Sequence, residues 1–269
     1  MEAYPRQRAR PLVDSRWTLE SEGIALPDLS RRVCLRSVPD VNEVSWSVRA
    51  AAGSIVWDWS SGGPDPRQLL PVRRPTSGAL SKHVPVRAFT ATTGSHLRLE
   101  SGLEHDLVRM VDRDPAVTWI VSQLCLLEWG SGRSTRRHVP DLLTTGADGA
   151  ISLWDVKSRE AAASEAFAEM RALTADACTR VGWRYVVFTG LPAVHRHNLI
   201  WLHGFRHRPA CSERYAPLLL ESCAEGSTLS DLLACSNAET AAVMWHLIWT
   251  GRLRIDLTQR LVPSSSVTS

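Results

Sequence analysis

The sequence has no long apolar run. Its most apolar stretch, residues 241–250, is far shorter than the roughly 20 residues that a membrane-spanning helix needs, and it contains His246. Charged side chains occupy the start of the chain, where a secretory signal would be apolar, so we expect no signal peptide and a cytoplasmic location. With 44% hydrophobic and 22% charged residues, the composition excludes general disorder, collagen-like repeats and a coiled coil.

The six cysteines include no CxxC pair, and several lie in apolar segments. A chain of 269 residues can bury a sizeable core without disulfides or structural metals. We therefore expect reduced, buried thiols.

Lysine is almost absent. Only Lys82 and Lys157 are lysines among 31 basic residues, so each marks a position where a compact ammonium could matter and arginine would not serve. The net charge of +3 defines no partner, but residues 63–99 hold six basic residues against one acid. These six are Arg67, Arg73, Arg74, Lys82, Arg87 and Arg98. Residues 61–99 are expected to form a basic arm or an irregular lead-in.

The hydrophobic pattern predicts an α/β domain. A hairpin is expected within residues 41–60, and a helix capped by Ser101 follows Glu100. From that helix the predicted order is α-β-β-β-α-β. The predicted segments after the helix are strands at 117–129, 136–145 and 150–158, a helix at 161–182 and a strand at 183–190.

The tail differs in pattern. Short helices are expected from about Tyr215, followed by a β-ribbon over residues 252–263, which together suggest a winged-helix-like module. Its longest helix, residues 238–251, has no lysine or arginine. This favours protein docking over DNA reading, although arginines in the ribbon could meet phosphates.

Two acidic motifs contain the candidate catalytic residues, a Pro-Asp pair at 140–141 and an Asp-Val-Lys triplet at 155–157. A hairpin centred near Asp148 places Asp141 opposite Asp155, with Cβ atoms roughly 4.5–5.5 Å apart. Lys157 lies two residues beyond Asp155 and shares its face of the strand. Glu104, on the preceding helix, could add a third oxygen donor. Two carboxylates so close repel each other unless a cation lies between them.

This group of side chains predicts a hydrolytic metal site. Hard oxygen ligands suit Mg²⁺, for which Mn²⁺ can substitute, and not zinc. Such an ion activates water and neutralises a phosphate oxygen, while a nearby lysine orients the water. The carbonyl of Val156 is a further candidate ligand. The alternative is that Asp141 merely ends a strand and that Asp155 and Lys157 are solvated.

Four segments together resemble a known family: TGSHLRLESGLEHDLVRMVDRDPAVTWIVSQ, RRHVPDLL, DGAISLWDVKS and VGWRYVVFT. They are similar to TnsA, the endonuclease subunit of heteromeric transposases, whose fold is that of PD-(D/E)xK restriction endonucleases. The resemblance covers residues 72–208 and extends weakly to 209–269. It implies a restriction-endonuclease-like core (a mixed central sheet flanked by helices) at 72–208, a winged-helix-like module at 209–269, and an extension at 1–71.

The resemblance also implies functional residues. Glu104, Asp141 and Lys157 fall on the catalytic positions, and Asp155 falls on the variable position before the lysine, where aspartate is not the commonest choice. Gln123 matches a glutamine of the family, which either orients a ligand or phosphate or makes a strand-end hydrogen bond. Nearby arginines either contact DNA phosphates or lie on a solvated strand edge. They are Arg133, Arg136 and Arg137.

The implied activity is Mg²⁺-dependent cleavage of DNA at the 5′ ends of a bacterial transposon. The implied partners are DNA, an integrase-like transposase subunit (TnsB) and an AAA+ ATPase regulator (TnsC). Two alternatives stay open. The chain could be a stand-alone restriction or repair nuclease of the same fold, or an adaptor that bridges DNA and proteins without catalysis.

Overall fold

Two four-stranded sheets and seven helices dominate the part of the protein that is described here, in a mixed α/β arrangement. The structure is a computed structural model that describes residues 44–73, 85–130, 135–234 and 236–269. The helices are α1 Gly102–Arg113, α2 Arg159–Ala162, α3 Glu165–Arg180, α4 Ala193–His203, α5 Ser212–Ser222, α6 Leu229–Ala234 and α7 Ala238–Trp249. The strands are β1 Ser45–Ala50, β2 Gly53–Val56, β3 Val86–Thr90, β4 Ser95–Leu99, β5 Val117–Ser122, β6 Cys125–Trp129, β7 Arg136–His138, β8 Leu142–Gly146, β9 Ile151–Val156, β10 Arg184–Phe188, β11 Ser227–Thr228 and β12 Ser266–Val267.

The central sheet has the strand order β10-β9-β8-β5. β8 and β9 form an antiparallel hairpin around Asp148, whereas β10 runs parallel to β9 after the crossover through α3. The parallel pair follows from the chain order, because a helix between two strands returns the chain to the same end of the sheet. The expected helix over 161–182 is divided into α2 and α3, since Ser164 caps a new helix by accepting the Phe167 N–H.

The second sheet has the order β2-β1-β6-β7. It corrects the sequence prediction, because residues 117–129 and 136–145 each form two strands and not one, and the halves belong to different sheets. From the pair Ser122–Leu142 to the pair Leu127–His138, the chain of β5 and β6 advances five residues, whereas the chain of β7 and β8 advances only four. This one-residue shift is a β-bulge, which bends the ribbon from one sheet into the other.

The predicted hairpin near the N-terminus is confirmed as β1 and β2, with Gly53 at a φ of 133° where β2 begins after the turn. β1 also pairs with β6, so the predicted division at residue 71 falls between strands of one sheet. Trp46 packs edge-to-face against Trp59 and Trp183 and ties the hairpin to the rest of the domain. The part of the predicted extension before residue 44 lies outside the described residues.

Helix α1 begins where it was predicted to begin. The Ser101 side chain accepts the Glu104 N–H at 3.1 Å, as an N-cap should. One face of the helix, including Leu107 and Val111, is buried in the larger hydrophobic core. The turn of the β3–β4 hairpin is fixed to the same helix, because Asp112 accepts the N–H groups of Ala91 and Thr92.

The tail contains the predicted short helices but not the predicted ribbon over 252–263. Leu253, Ile255 and Leu257 alternate inward and are buried, which mimics a strand pattern. The backbone there makes only an isolated bridge, between Arg254 and Thr268. A turn held by Asp256, whose carboxylate accepts the Thr258 N–H, diverts the chain before a second strand can pair.

The tail shares a core with the rest of the chain. Met244 and Leu247 of α7 are buried in the same cluster as Leu107 of α1 and Phe188 of β10. In the described ranges no helix combines the length and the apolar character that crossing a membrane requires. Three cysteines in those ranges are buried, and they are Cys125, Cys178 and Cys223.

Candidate active site

The β8–β9 hairpin has the register that the sequence predicted. Its pairs run from Thr145–Ile151 to Leu142–Trp154, so the next residues along the two strands, Asp141 and Asp155, face each other. The Asp141 N–H donates to the Trp154 carbonyl at 2.9 Å and continues the pairing to this point. The carboxylates therefore lie at the end of the hairpin, beside the bulge.

Asp141 is the central acceptor of the site. Its Oδ2 accepts the Val156 N–H at 2.6 Å and the Lys157 Nζ at 3.2 Å. Burial raises the pKa of Asp141, and the negative charge of Asp155 adds to the effect, while the Lys157 ammonium opposes it. The carboxylate is thus desolvated and depends on a cation for its charge balance.

Lys157 lies between the two acids. Besides its bond to Asp141, its Nζ donates to the Val156 carbonyl at 3.1 Å and lies 3.9 Å from Asp155 Oδ1. The ammonium also lies 5.6 Å from the centre of the Phe167 ring of α3. The Lys157 N–H donates to the Phe188 carbonyl of β10, which fixes the backbone on which this lysine stands.

Asp155 is fully buried, and its two oxygens have different surroundings. Oδ2 accepts hydrogen bonds from His138 Nε2 at 2.8 Å and from the Tyr185 hydroxyl at 2.5 Å. Oδ1 has no hydrogen-bond partner among the described residues and is directed toward Lys157. A buried carboxylate oxygen without a partner is costly, so this atom is the one that a bound cation would satisfy.

Sequence analysis missed His138 and Tyr185. Tyr185 reaches Asp155 because β10 lies beside β9 in parallel, with Val187 opposite Asp155. His138 reaches it from β7, which pairs with β6 beyond the bulge at Gln123. Neither relationship has a local sequence signal, because one depends on a long crossover and the other on a register shift.

Glu104 lies one turn into α1. Ser101 Oγ donates to Oε1 and the Glu100 N–H donates to Oε2, both at 2.9 Å. Burial raises the pKa of Glu104 to about 7, and the charge of Asp141 contributes to that rise. The hydrogen-bond partners of the Glu104 carboxylate are residues at the start of its own helix, Glu100 and Ser101.

Gln123 occupies the bulge. Its φ of 50° lies in the left-handed region, and its N–H donates to the Asp141 carbonyl at 3.1 Å. Its buried side chain donates to Glu100 Oε1 at 2.9 Å. The sequence left two roles open for Gln123, orienting a ligand or phosphate or making a strand-end hydrogen bond. The structure contains a hydrogen bond of the second kind.

The predicted DNA-binding arginines have acidic partners. Arg136 forms an ion pair with Glu169 of α3, and Arg137 pairs with Glu128 of β6 at 2.7 Å. Arg133 lies outside the described residues. Contacts to phosphate from Arg136 and Arg137 would have to compete with these ion pairs.

The chemistry of the donors fits a hard divalent cation. Glu104, Asp141 and Asp155 supply only oxygen, and Asp155 Oδ1 is buried without a hydrogen-bond partner in the described ranges. In the described ranges, however, no group of three or more His, Cys, Asp or Glu side chains is arranged to hold a metal ion. Lys157 fills the space between the two hairpin acids and serves as their counter-charge.

Comparison with protein-family models gives no match for this chain, and comparison with curated proteins gives none either.

Proposed function

We propose that this protein is a metal-dependent DNA endonuclease with a restriction-endonuclease-like core, and that it cuts 5′ ends as a subunit of a heteromeric transposase. One observation carries the proposal: Asp141 and Asp155 face each other across one hairpin, with the Lys157 ammonium within 4 Å of both. A nuclease needs this combination of buried acids and a compact amine, and a solvated strand end does not.

The candidate oxygen ligands for Mg²⁺ are Glu104, Asp141 and Asp155, with the Val156 carbonyl as a further one. Binding would require these acids to move closer together than they lie in the structure. When bound, the ion would lower the pKa of a water molecule and offset charge on the phosphate. Lys157 then holds and orients the attacking water through its Nζ and stabilises negative charge in the transition state. His138 and Tyr185 keep the Asp155 carboxylate in one orientation.

The wider assembly is part of the same proposal. DNA is the substrate, an integrase-like transposase cuts and joins the other strand, and an ATPase regulates the complex. We assign protein docking to the tail, because α7 has no lysine or arginine and buries Val243, Met244 and Leu247 in the core. A helix so buried is poorly placed to enter a DNA groove.

Nicking of DNA tests the function. The full chain would be incubated with Mg²⁺, the candidate transposase and DNA that carries the element ends. We expect 5′-end nicks with the wild type and none with Asp141→Ala. Asp176→Ala, which removes a partly exposed aspartate of α3 that pairs with Arg180, should retain activity. Cleavage without the transposase would favour a stand-alone nuclease, and an Asp141→Ala protein that still supports assembly and cutting would favour an adaptor.

A further inference from the structure

The β3–β4 hairpin presents a pair of like charges on its outer face. Arg87 and Arg98 are direct cross-strand partners, and both side chains are exposed. Neither forms an ion pair or a side-chain hydrogen bond with any residue of the described ranges. Like charges directly opposite each other destabilise a strand pair, so this arrangement costs stability and calls for a compensating anion.

The hairpin itself is firmly held. Its inward residues, Ala88, Leu97 and Leu99, are buried in the larger core. Its turn is fixed by Asp112, whose two carboxylate oxygens accept backbone N–H groups and therefore neutralise neither arginine. Because the inner face is fixed, the period of two along each strand places both arginines on the outer face.

The outer face continues as a mixed basic and aromatic surface. Phe89 and His96 are the next cross-strand pair, with ring centres 5.4 Å apart. The Arg206 guanidinium lies 5.7 Å from the centre of the Phe89 ring, and the His207 ring lies 4.9 Å from it. We call this surface the hairpin patch. Its members are Arg87, Phe89, His96, Arg98, Arg206 and His207.

The hairpin patch is connected to the candidate active site. β4 runs directly into Ser101 and Glu104. Beside it lies a groove of about 380 Å³, lined by residues 95–98 of β4, by residues 119–122 of β5 and by Arg73. Its β5 wall ends next to Gln123, whose N–H is bonded to Asp141. A polymer lying on the patch and in the groove would therefore reach the acids.

We propose that the hairpin patch binds the sugar–phosphate backbone of DNA beside the bond to be cut. Arginines without acidic partners supply phosphate contacts that give affinity without reading sequence. The inference rests on the proposed function in taking DNA as the substrate. It assigns the main contact to the DNA sugar–phosphate backbone to the unpaired arginines of the β3–β4 hairpin, in place of the paired arginines of β7.

The salt dependence of DNA binding tests this assignment. Fluorescence anisotropy would follow binding of the full chain to a labelled, mixed-sequence DNA duplex in EDTA, over a range of salt concentrations. Each phosphate contact contributes about one to the slope of log affinity against log salt. We expect Arg87→Gln/Arg98→Gln to lower the slope by about two and to weaken binding roughly tenfold at low salt.

A matched control removes two exposed arginines elsewhere. Arg171 of α3 and Arg184 of β10 form no ion pair within the described ranges, and Arg184 begins the strand at the opposite edge of the central sheet from β5. Arg171→Gln/Arg184→Gln should keep the wild-type slope. Equal slopes for the wild type and the hairpin double variant would overturn the assignment, and so would a wild type that binds no DNA.

A charge reversal separates binding from folding. Arg98→Glu creates an opposite-charge pair with Arg87, so we expect an equal or higher melting temperature together with weaker DNA binding than in Arg98→Gln. Unchanged DNA binding in Arg98→Glu would overturn the proposal. A wild type that binds through the patch but never cuts would contradict the proposed nuclease alone, and patch variants that bind and cut normally would contradict this inference alone.

Discussion

Lys157 donates a hydrogen bond of 3.2 Å to Asp141 from the opposite strand of the β8–β9 hairpin. In a chain with two lysines, one of them thus contacts the acid that a nuclease would need. The same ammonium contacts the Val156 carbonyl and lies above the Phe167 ring. Only a compact head group such as an ammonium can contact all of these neighbours at once.

Lys157→Arg should abolish most of the activity while the fold persists. The planar guanidinium retains the charge but cannot occupy the position of Nζ between Asp141 and the Val156 carbonyl. We expect the single-turnover rate of DNA nicking to fall by about 100-fold or more. Lys82→Arg, a change at the other lysine, is the control. A Lys157→Arg enzyme with the wild-type rate would show that the amine has no special role.

Tyr185→Phe should weaken metal binding with little effect on folding. The hydroxyl is one of two donors that hold Asp155 Oδ2, and outer partners of a metal ligand typically affect affinity 10–100-fold. We expect the Mn²⁺ dissociation constant from calorimetry to rise roughly tenfold in this variant and further with His138→Ala added. Tyr215→Phe, on the tail, is the control. Unchanged Mn²⁺ affinity would mean that Asp155 needs neither donor.

The half-buried histidine at the end of α4, His203, should make the protein sensitive to acid. Burial lowers the pKa of His203 to about 3, and the nearby Arg206 adds to the effect. Near pH 6.5 the imidazole of His203 therefore binds a proton in the unfolded chain but not in the folded chain. Stability consequently falls as the pH falls below 6.5.

The variant His203→Phe keeps an aromatic ring against Trp249, whose ring centre lies 5.6 Å away. Between pH 7 and pH 5 the unfolding free energy of both proteins should fall, and the fall should be roughly 1–2 kcal/mol smaller in this variant than in the wild type. Urea unfolding at both pH values measures the difference. Identical losses in the two proteins would contradict the assigned cause.

Gln123 should set the bend between the two sheets. Its positive φ disfavours a β-branched side chain, and its amide holds Glu100. We expect Gln123→Val to lower the unfolding free energy by roughly 2–4 kcal/mol, from backbone strain and the lost hydrogen bond. Gln123→Gly relieves the strain and should cost less. Thermal melts in which valine and glycine are equally tolerated would argue against strain at this position.

The sequence alone predicted the parts of the site that depend on local geometry. The Asp148 turn and the period of two along a strand are sufficient to place Asp141 opposite Asp155 and Lys157 on the face of Asp155. Capping chemistry likewise predicted the start of α1 at Ser101. These features involve residues close in sequence, and their spacing is fixed by the backbone.

The remaining features depend on contacts between distant segments. The shift at Gln123 divides one β-rich stretch between two sheets, and only the polar residues Ser122 and Gln123 interrupt the apolar pattern there. Tyr185 meets Asp155 only after the chain has crossed over through α3. The tail alternates like a strand at Leu253 and Ile255 because it packs on a core, although the only strand-like pairing of this segment in the described ranges is an isolated bridge at Arg254.

Calorimetric titration with Mn²⁺ tests the central claim most directly. The account predicts that the wild type and Asp176→Ala bind the ion alike, and that Asp141→Ala binds it at least tenfold more weakly. A wild type that binds no Mn²⁺, or an Asp141→Ala protein that binds it equally well, would contradict the claim that the hairpin acids form a cation site.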